Sequence, residues 1–102
     1  LVTNPAAEAF ACSYALQLAM TGVLTHSSSA ARDAAVGCGT GENIAYASTI
    51  SVANMYSMWY ASSGHMANLK NSSYRSMGSG FIVRTNPNGS QTLWGVNVFA
   101  VC

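Results

Sequence analysis

The sequence predicts an α/β (α+β) fold: a three-layer α-β-α sandwich with a small, mainly antiparallel sheet covered by helices on both faces. Three observations predict it. Behind Asn4-Pro5, the residues Ala7, Ala11, Tyr14, Ala15 and Leu18 fall on one face at helical spacing. Asn88-Gly89 separates two β-prone runs, the strongest short hairpin signal. In the closing run, Trp94, Val96, Val98 and Ala100 face one way while Leu93, Phe99 and Val101 face the other. A strand that is apolar on both sides must be covered on both, hence helices above and below the sheet.

The elements follow in order. Asn4 is the expected N-cap of a first helix, Pro5 suits its first helical position, and Glu8 sits in its first turn against the positive end of the helix dipole. That helix runs to about Met20, and Gly22 stops it. From His26 to Thr40 the chain is small and polar, with one or two helical turns expected around Ala30 to Ala35. Gly39-Thr40-Gly41 leads into a short strand, Asn43 to Ala47. Ser51 caps a second long helix, in which Val52, Met55, Tyr56 and Trp59 repeat at i, i+3, i+4 and i+7. After Gly64, His65 to Leu69 holds a brief helical turn. Strands over Met77 to Arg84 and Thr92 to Val101 are joined by Asn86 to Ser90.

The 102 residues suffice for one domain with one continuous core, so residues 1–102 are expected to form a single unit. Half of the residues are hydrophobic and only 7% are charged, so contact with water rests on Ser, Thr, Asn and Gly. Arg32, Lys70, Arg75 and Arg84 are scattered within a net charge of +1, which leaves no basic stripe and argues against nucleic acid. No apolar run reaches the roughly 18 residues of a transmembrane segment. The wide spacing of Cys12, Cys38 and Cys102 suits a long-range disulfide better than a metal knuckle, with one thiol left over; three buried free thiols are the alternative, and which two pair is open.

Candidates for chemistry are few: the histidines His26 and His65 and the carboxylates Glu8, Asp33 and Glu42. Glu42 stands between Gly41 and Asn43 at the mouth of an apolar strand; turned inward it needs a polar partner, and a histidine is the natural one. The alternative is a solvent-facing carboxylate on a loop. His26 lies in a loop before three serines, and taken alone it reads first as a surface loop histidine. His65, at the start of a helical turn, is favoured as the neutral imidazole that binds metals. Two histidines and a carboxylate can hold zinc with a water in the fourth position, although no H-E-x-x-H spacing supports this. A serine nucleophile has no G-x-S-x-G elbow behind it.

Several segments, in order, resemble the CAP superfamily (cysteine-rich secretory, antigen 5 and pathogenesis-related proteins), in its bacterial form. Leu24-Thr25-His26-Ser27 resembles the segment of the family's first histidine, and Gly41-Glu42-Asn43-Ile44-Ala45 its G-E-N-[IL]-A strand. Trp59 matches the tryptophan of the next helix, and Gly64 to Leu69 resembles the G-H-R-A-N-[IL] form. Tyr74 to Phe81 resembles the approach to the G-x-G strand, and Trp94 to Phe99 the closing strand, with Asn97 where Gln is usual. The family's second acid falls at or beside Ser62 and is missing, and so is its usual first helix.

The resemblance implies a secreted, extracellular domain and strengthens the disulfide reading. It also implies a cleft in which His26, Glu42 and His65 meet. There His26 and His65 would hold zinc or another divalent metal. The expected function is a binding or effector module, with a lipid or sterol, or an extracellular protein, as partner. The alternative is a metal-dependent, protease-like hydrolase in which a metal-bound water attacks and Glu42 orients it or takes its proton. A shared fold does not choose between these.

Overall fold

The computed structural model describes residues 1–102. The element order is β1 (Val2–Thr3), α1 (Pro5–Thr21), α2 (Ser29–Val36), β2 (Thr40–Ala47), α3 (Val52–Ala61), α4 (Ser63–Leu69), β3 (Ser76–Thr85) and β4 (Gln91–Ala100). Helix α1 begins as the sequence demands. The Asn4 side chain accepts the Ala7 amide, Pro5 occupies the first turn, and Gly22, at φ 69°, returns its N–H to the Leu18 carbonyl. Ser28 and Ser51 cap α2 and α3 in the same manner, accepting from Ala31 and Asn54. These caps satisfy amide donors that a helix start otherwise leaves open.

The sheet has the order β1-β3-β4-β2. Strands β3 and β4 form the expected hairpin, from Ser76 opposite Ala100 to Thr85 opposite Gln91, and β4 pairs antiparallel with β2 from Thr40–Ala100 to Ala47–Leu93. Strand β2 begins three residues earlier than its apolar run, because pairing with β4 takes in Thr40, Gly41 and Glu42. The two-residue β1 lies parallel to β3, too short for any alternation to announce it.

Each face of the sheet has its own core. Tyr14, Leu18 and the alanines Ala7, Ala11, Ala15 and Ala19 of α1 pack on Ile44, Trp94, Val96 and Val98. On the other face, Met55 and Trp59 of α3 pack on Ala45, Ala47 and Leu93. The three layers and the two-sided burial of β4 are therefore as the sequence predicts. Helix α1 comes unusually close to the sheet at two positions. A Cβ on Gly78 would stand 2.1 Å from the Glu8 backbone nitrogen, and one on Gly80 would stand 2.4 Å from that of Cys12. Only glycine permits this approach, which explains the G-x-G spacing of β3.

Cys38 and Cys102 form a disulfide across 64 residues of sequence, and Cys12 is free and exposed. One bridge and one leftover thiol match the spacing argument. No helix is long and apolar enough to cross a membrane.

Candidate functional site

The site grows out of strand alternation. Successive side chains of a strand point to opposite faces, so on β2 Glu42 shares the face of Ile44 and Asn43 shares that of Ala45. Glu42 is thereby turned toward α2 and the segment that precedes it. It is 5% exposed, and a carboxylate removed from water needs partners on every side.

It has them. Oε1 lies 2.9 Å from His26 Nδ1, receives the Ser27 amide at 3.0 Å and faces the Arg32 guanidinium at 3.4 Å; Oε2 accepts the Ser27 hydroxyl at 2.6 Å. Arg32 is buried as well. Its Nη1 donates to the Ser27 hydroxyl at 2.8 Å and the Ser27 carbonyl at 3.2 Å, and its Nε donates to Thr40 Oγ1 at 2.9 Å. The Thr40 hydroxyl in turn donates to Asp33 Oδ1 at 2.5 Å. Each buried charge thus meets an opposite charge and several dipoles, the condition under which a buried ion pair is tolerated.

Because the Glu42 carboxylate only accepts, His26 Nδ1 carries the proton of the neutral ring, and Nε2 is left as an acceptor with no partner in the protein. The imidazole side chain is 61% exposed while its carboxylate is buried. That ring stands at the wall of an open cavity of about 450 Å³ between α1 and the segment 25–31. From α1 the walls are Phe10, Ser13, Tyr14 and Gln17, at helical i, i+3, i+4 and i+7 spacing; across from them stand Thr25, His26, Ser27, Ser28 and Ala31. The Tyr14 hydroxyl donates to the Thr25 carbonyl and fastens that segment to α1. Burial, and after it the Glu42 carboxylate, push the Tyr14 phenol above its ordinary pKa, against an opposing pull from Arg32.

His65 lies elsewhere. It rides on α4, over the opposite face of the sheet, where its carbonyl accepts Asn43 Nδ2 at 3.2 Å. Asn68, also on α4, donates to Asn43 Oδ1 at 2.9 Å and to the Glu42 carbonyl at 3.2 Å. His65 Nδ1 is buried with no hydrogen-bond partner. Of the three expected cleft residues, His26 and Glu42 are therefore bonded to each other, and the His65 side chain is bonded to neither. Strand alternation is the physical reason, since the Glu42 and Asn43 side chains cannot face the same side.

No three His, Cys, Asp or Glu side chains are grouped to hold a metal ion. Glu42 has its oxygens committed, and His26 Nε2 alone is free, well short of the three protein ligands of a catalytic zinc. The donor set at this cavity does not fit the metal that the CAP resemblance implied. Sequence reasoning missed Arg32, Thr40 and Ser27 as the groups that secure Glu42. The available signal was a lone arginine in an Ala-rich helix, ten residues before the lone carboxylate of an apolar strand.

The fold has a solved counterpart. It is similar to an outer surface protein from Borrelia burgdorferi, with a TM-score of 0.71 and 18% identity over 98% of this chain and 76% of that one. At that identity the likeness concerns the fold alone. No protein-family model and no curated relative matches the sequence.

Proposed function

We propose that this chain is an extracellular, CAP-like binding module that seats a small polar group in the cavity at His26 and offers a neighbouring apolar groove to a lipid or protein surface. The observation that carries it is the His26–Glu42 pair: a buried, fully partnered carboxylate orients one imidazole through Nδ1, with Nε2 free, at the wall of an open cavity. A few convergent polar groups on a preformed hollow are what small-ligand sites consist of. The apolar groove is lined by Leu16, Ala19, Met20, Ile82, Val83 and Arg84, on the adjacent end of α1 and β3. The extracellular setting is supported by the Cys38–Cys102 disulfide and by the surface location named for the protein of like fold.

Soaking crystals in isopropanol, acetamide and urea tests the seat. The expected result is density in the cavity within hydrogen-bonding distance of His26 Nε2; probes found only elsewhere would overturn the reading. Co-sedimentation with phosphatidylcholine vesicles tests the groove, with Met20→Ser expected to weaken it.

One feature favours a hydrolytic second reading. An imidazole oriented through Nδ1 by a carboxylate is the arrangement of a general base. In that reading Glu42 orients His26 and takes no proton itself, since its oxygens already accept from Ser27. A His26→Ala variant that retains whatever p-nitrophenyl acetate turnover the protein shows would remove it.

A further inference from the structure

We infer that the ligand of the His26 cavity is a neutral saccharide, an inference that rests on the binding reading above and names its ligand class. Three properties of the walls lead there. No Lys, Arg, Asp or Glu lines the cavity. The two nearby charges, Glu42 and Arg32, are buried behind it and neutralise each other. No permanently charged side chain faces a ligand there, so the walls favour an uncharged one.

The walls also carry more hydrogen-bonding side chains than apolar ones. Ser13, Gln17, Thr25, Ser27, Ser28 and His26 outnumber Phe10, Tyr14 and Ala31. An acyl chain or sterol ring seated here would strip water from Ser13, Gln17, Thr25 and His26 Nε2 and return no hydrogen bond, which costs free energy for each group left unpaired. Carbon atoms nonetheless make up most of the exposed wall, so the ligand that fits pairs hydroxyl or amide groups with an apolar face of its own. The Ser27 hydroxyl is already committed to Glu42 and Arg32, and that of Ser28 accepts the Ala31 amide but can still donate; the Ser13 and Thr25 hydroxyls both donate and accept, Gln17 does both through its amide, and His26 Nε2 accepts. That two-way set matches sugar hydroxyls, which are themselves donors and acceptors.

The third property is the aromatic pair. Phe10 and Tyr14 stack with centroids 6.1 Å apart and planes at 18°, and the half-buried Phe10 ring forms part of the wall. A sugar ring has a face of C–H bonds polarised by the adjacent oxygens, and these pack on the electron-rich face of an aromatic ring. A flexible neutral peptide would meet the hydroxyls equally well. It lacks the rigid C–H face, and it loses more conformational freedom on binding. The cavity of about 450 Å³ lies within the range of small-ligand sites and has room for a sugar ring.

Titration of the ¹⁵N-labelled protein with methyl glucoside, methyl galactoside, methyl mannoside and N-acetylglucosamine at millimolar concentrations tests this. At least one sugar is expected to shift the amide signals of Ser13, Gln17, His26 and Ser27 in a saturable manner. Gln17→Ala, at an exposed position that leaves the fold intact, is expected to weaken that binding about fivefold, as the loss of one neutral hydrogen bond does. Phe10→Ala is expected to abolish it. If no sugar shifts those signals while the crystal probes still occupy the cavity, the saccharide inference fails and the binding reading stands. If the crystal probes also avoid the cavity, both fail. Sugar binding unchanged in Gln17→Ala and in Phe10→Ala would place the sugar elsewhere and overturn the inference.

Discussion

At the scale of single residues, Glu42 is the organising group; the sequence left its burial open and set only the condition that, turned inward, a carboxylate between Gly41 and Asn43 has to be answered. The answer came partly from His26, which the sequence nominated, and partly from Arg32, which it did not, because the only signal was a lone arginine ten residues before a lone carboxylate, which no motif singles out. Glu42→Gln leaves the buried Arg32 without a counter-charge and is expected to cost on the order of 3 kcal/mol in urea unfolding. Tyr14 adds a pH dependence. Its phenol is held above its ordinary pKa in the folded protein, so the folded state keeps that proton longer than the unfolded chain does. The stability this contributes is full below about pH 10 and is lost as the pH climbs through the raised value. Thermal unfolding of the wild type above about pH 10 should therefore decline more steeply than that of Tyr14→Phe, whose hydrogen bond to Thr25 is absent at every pH. The separation of the His65 side chain from Glu42 has its origin on one strand. Adjacent positions on β2 serve different faces, and nothing in the long stretch of sequence between His26 and His65 tells which face α4 covers.

At the scale of elements, α1 and β3 are joined by the absence of side chains. Gly78 and Gly80 let the backbone of Glu8 and Cys12 settle on the strand, and α1 in turn carries Phe10, Ser13, Tyr14 and Gln17 into the cavity wall. Gly78→Ala or Gly80→Ala must lift the helix, since the clashing atoms are backbone and cannot rotate away. Each is expected to destabilise by about 1–3 kcal/mol in urea unfolding, and to broaden the signals of the cavity residues more than a substitution of like cost at Met55 does. The starts of α1 and α3 were legible, because Asn4 and Ser51 cap through local hydrogen bonds that the neighbouring sequence decides; the Ser28 cap of α2 and the start of α4 at Ser63, which has no side-chain cap, were not read from it. The early start of β2 and the existence of β1 were not legible. Both depend on partner strands distant in sequence, and pairing overrides the weak strand preference of residues such as Gly41.

At the scale of the whole molecule, the Cys38–Cys102 bridge ties the start of β2 to the end of β4 across 64 residues and is expected to stabilise by about 4 kcal/mol relative to the reduced chain. Reductant should lower the melting temperature accordingly, and alkylation of the native protein before reduction should modify Cys12 alone. The cysteine spacing announced such a bridge; the sheet order did not follow from spacing or composition. Strand β2 forms one border of the sheet, with no strand beyond it. A border strand is an open template on which a foreign chain can extend the sheet. Here two of its outward carbonyls are already taken: the Glu42 carbonyl accepts Asn68 Nδ2, and the Ile44 carbonyl accepts the Trp59 indole at 3.3 Å. The helices on that side thus do more than bury apolar surface, since they withdraw the template from circulation. Asn68→Ala should return one carbonyl to the template, and light scattering at concentrations where the wild type stays monodisperse should then report slow growth of β-rich aggregates. A molecule so poor in charge has little electrostatic repulsion to keep its copies apart, and two side-chain hydrogen bonds carry much of that burden.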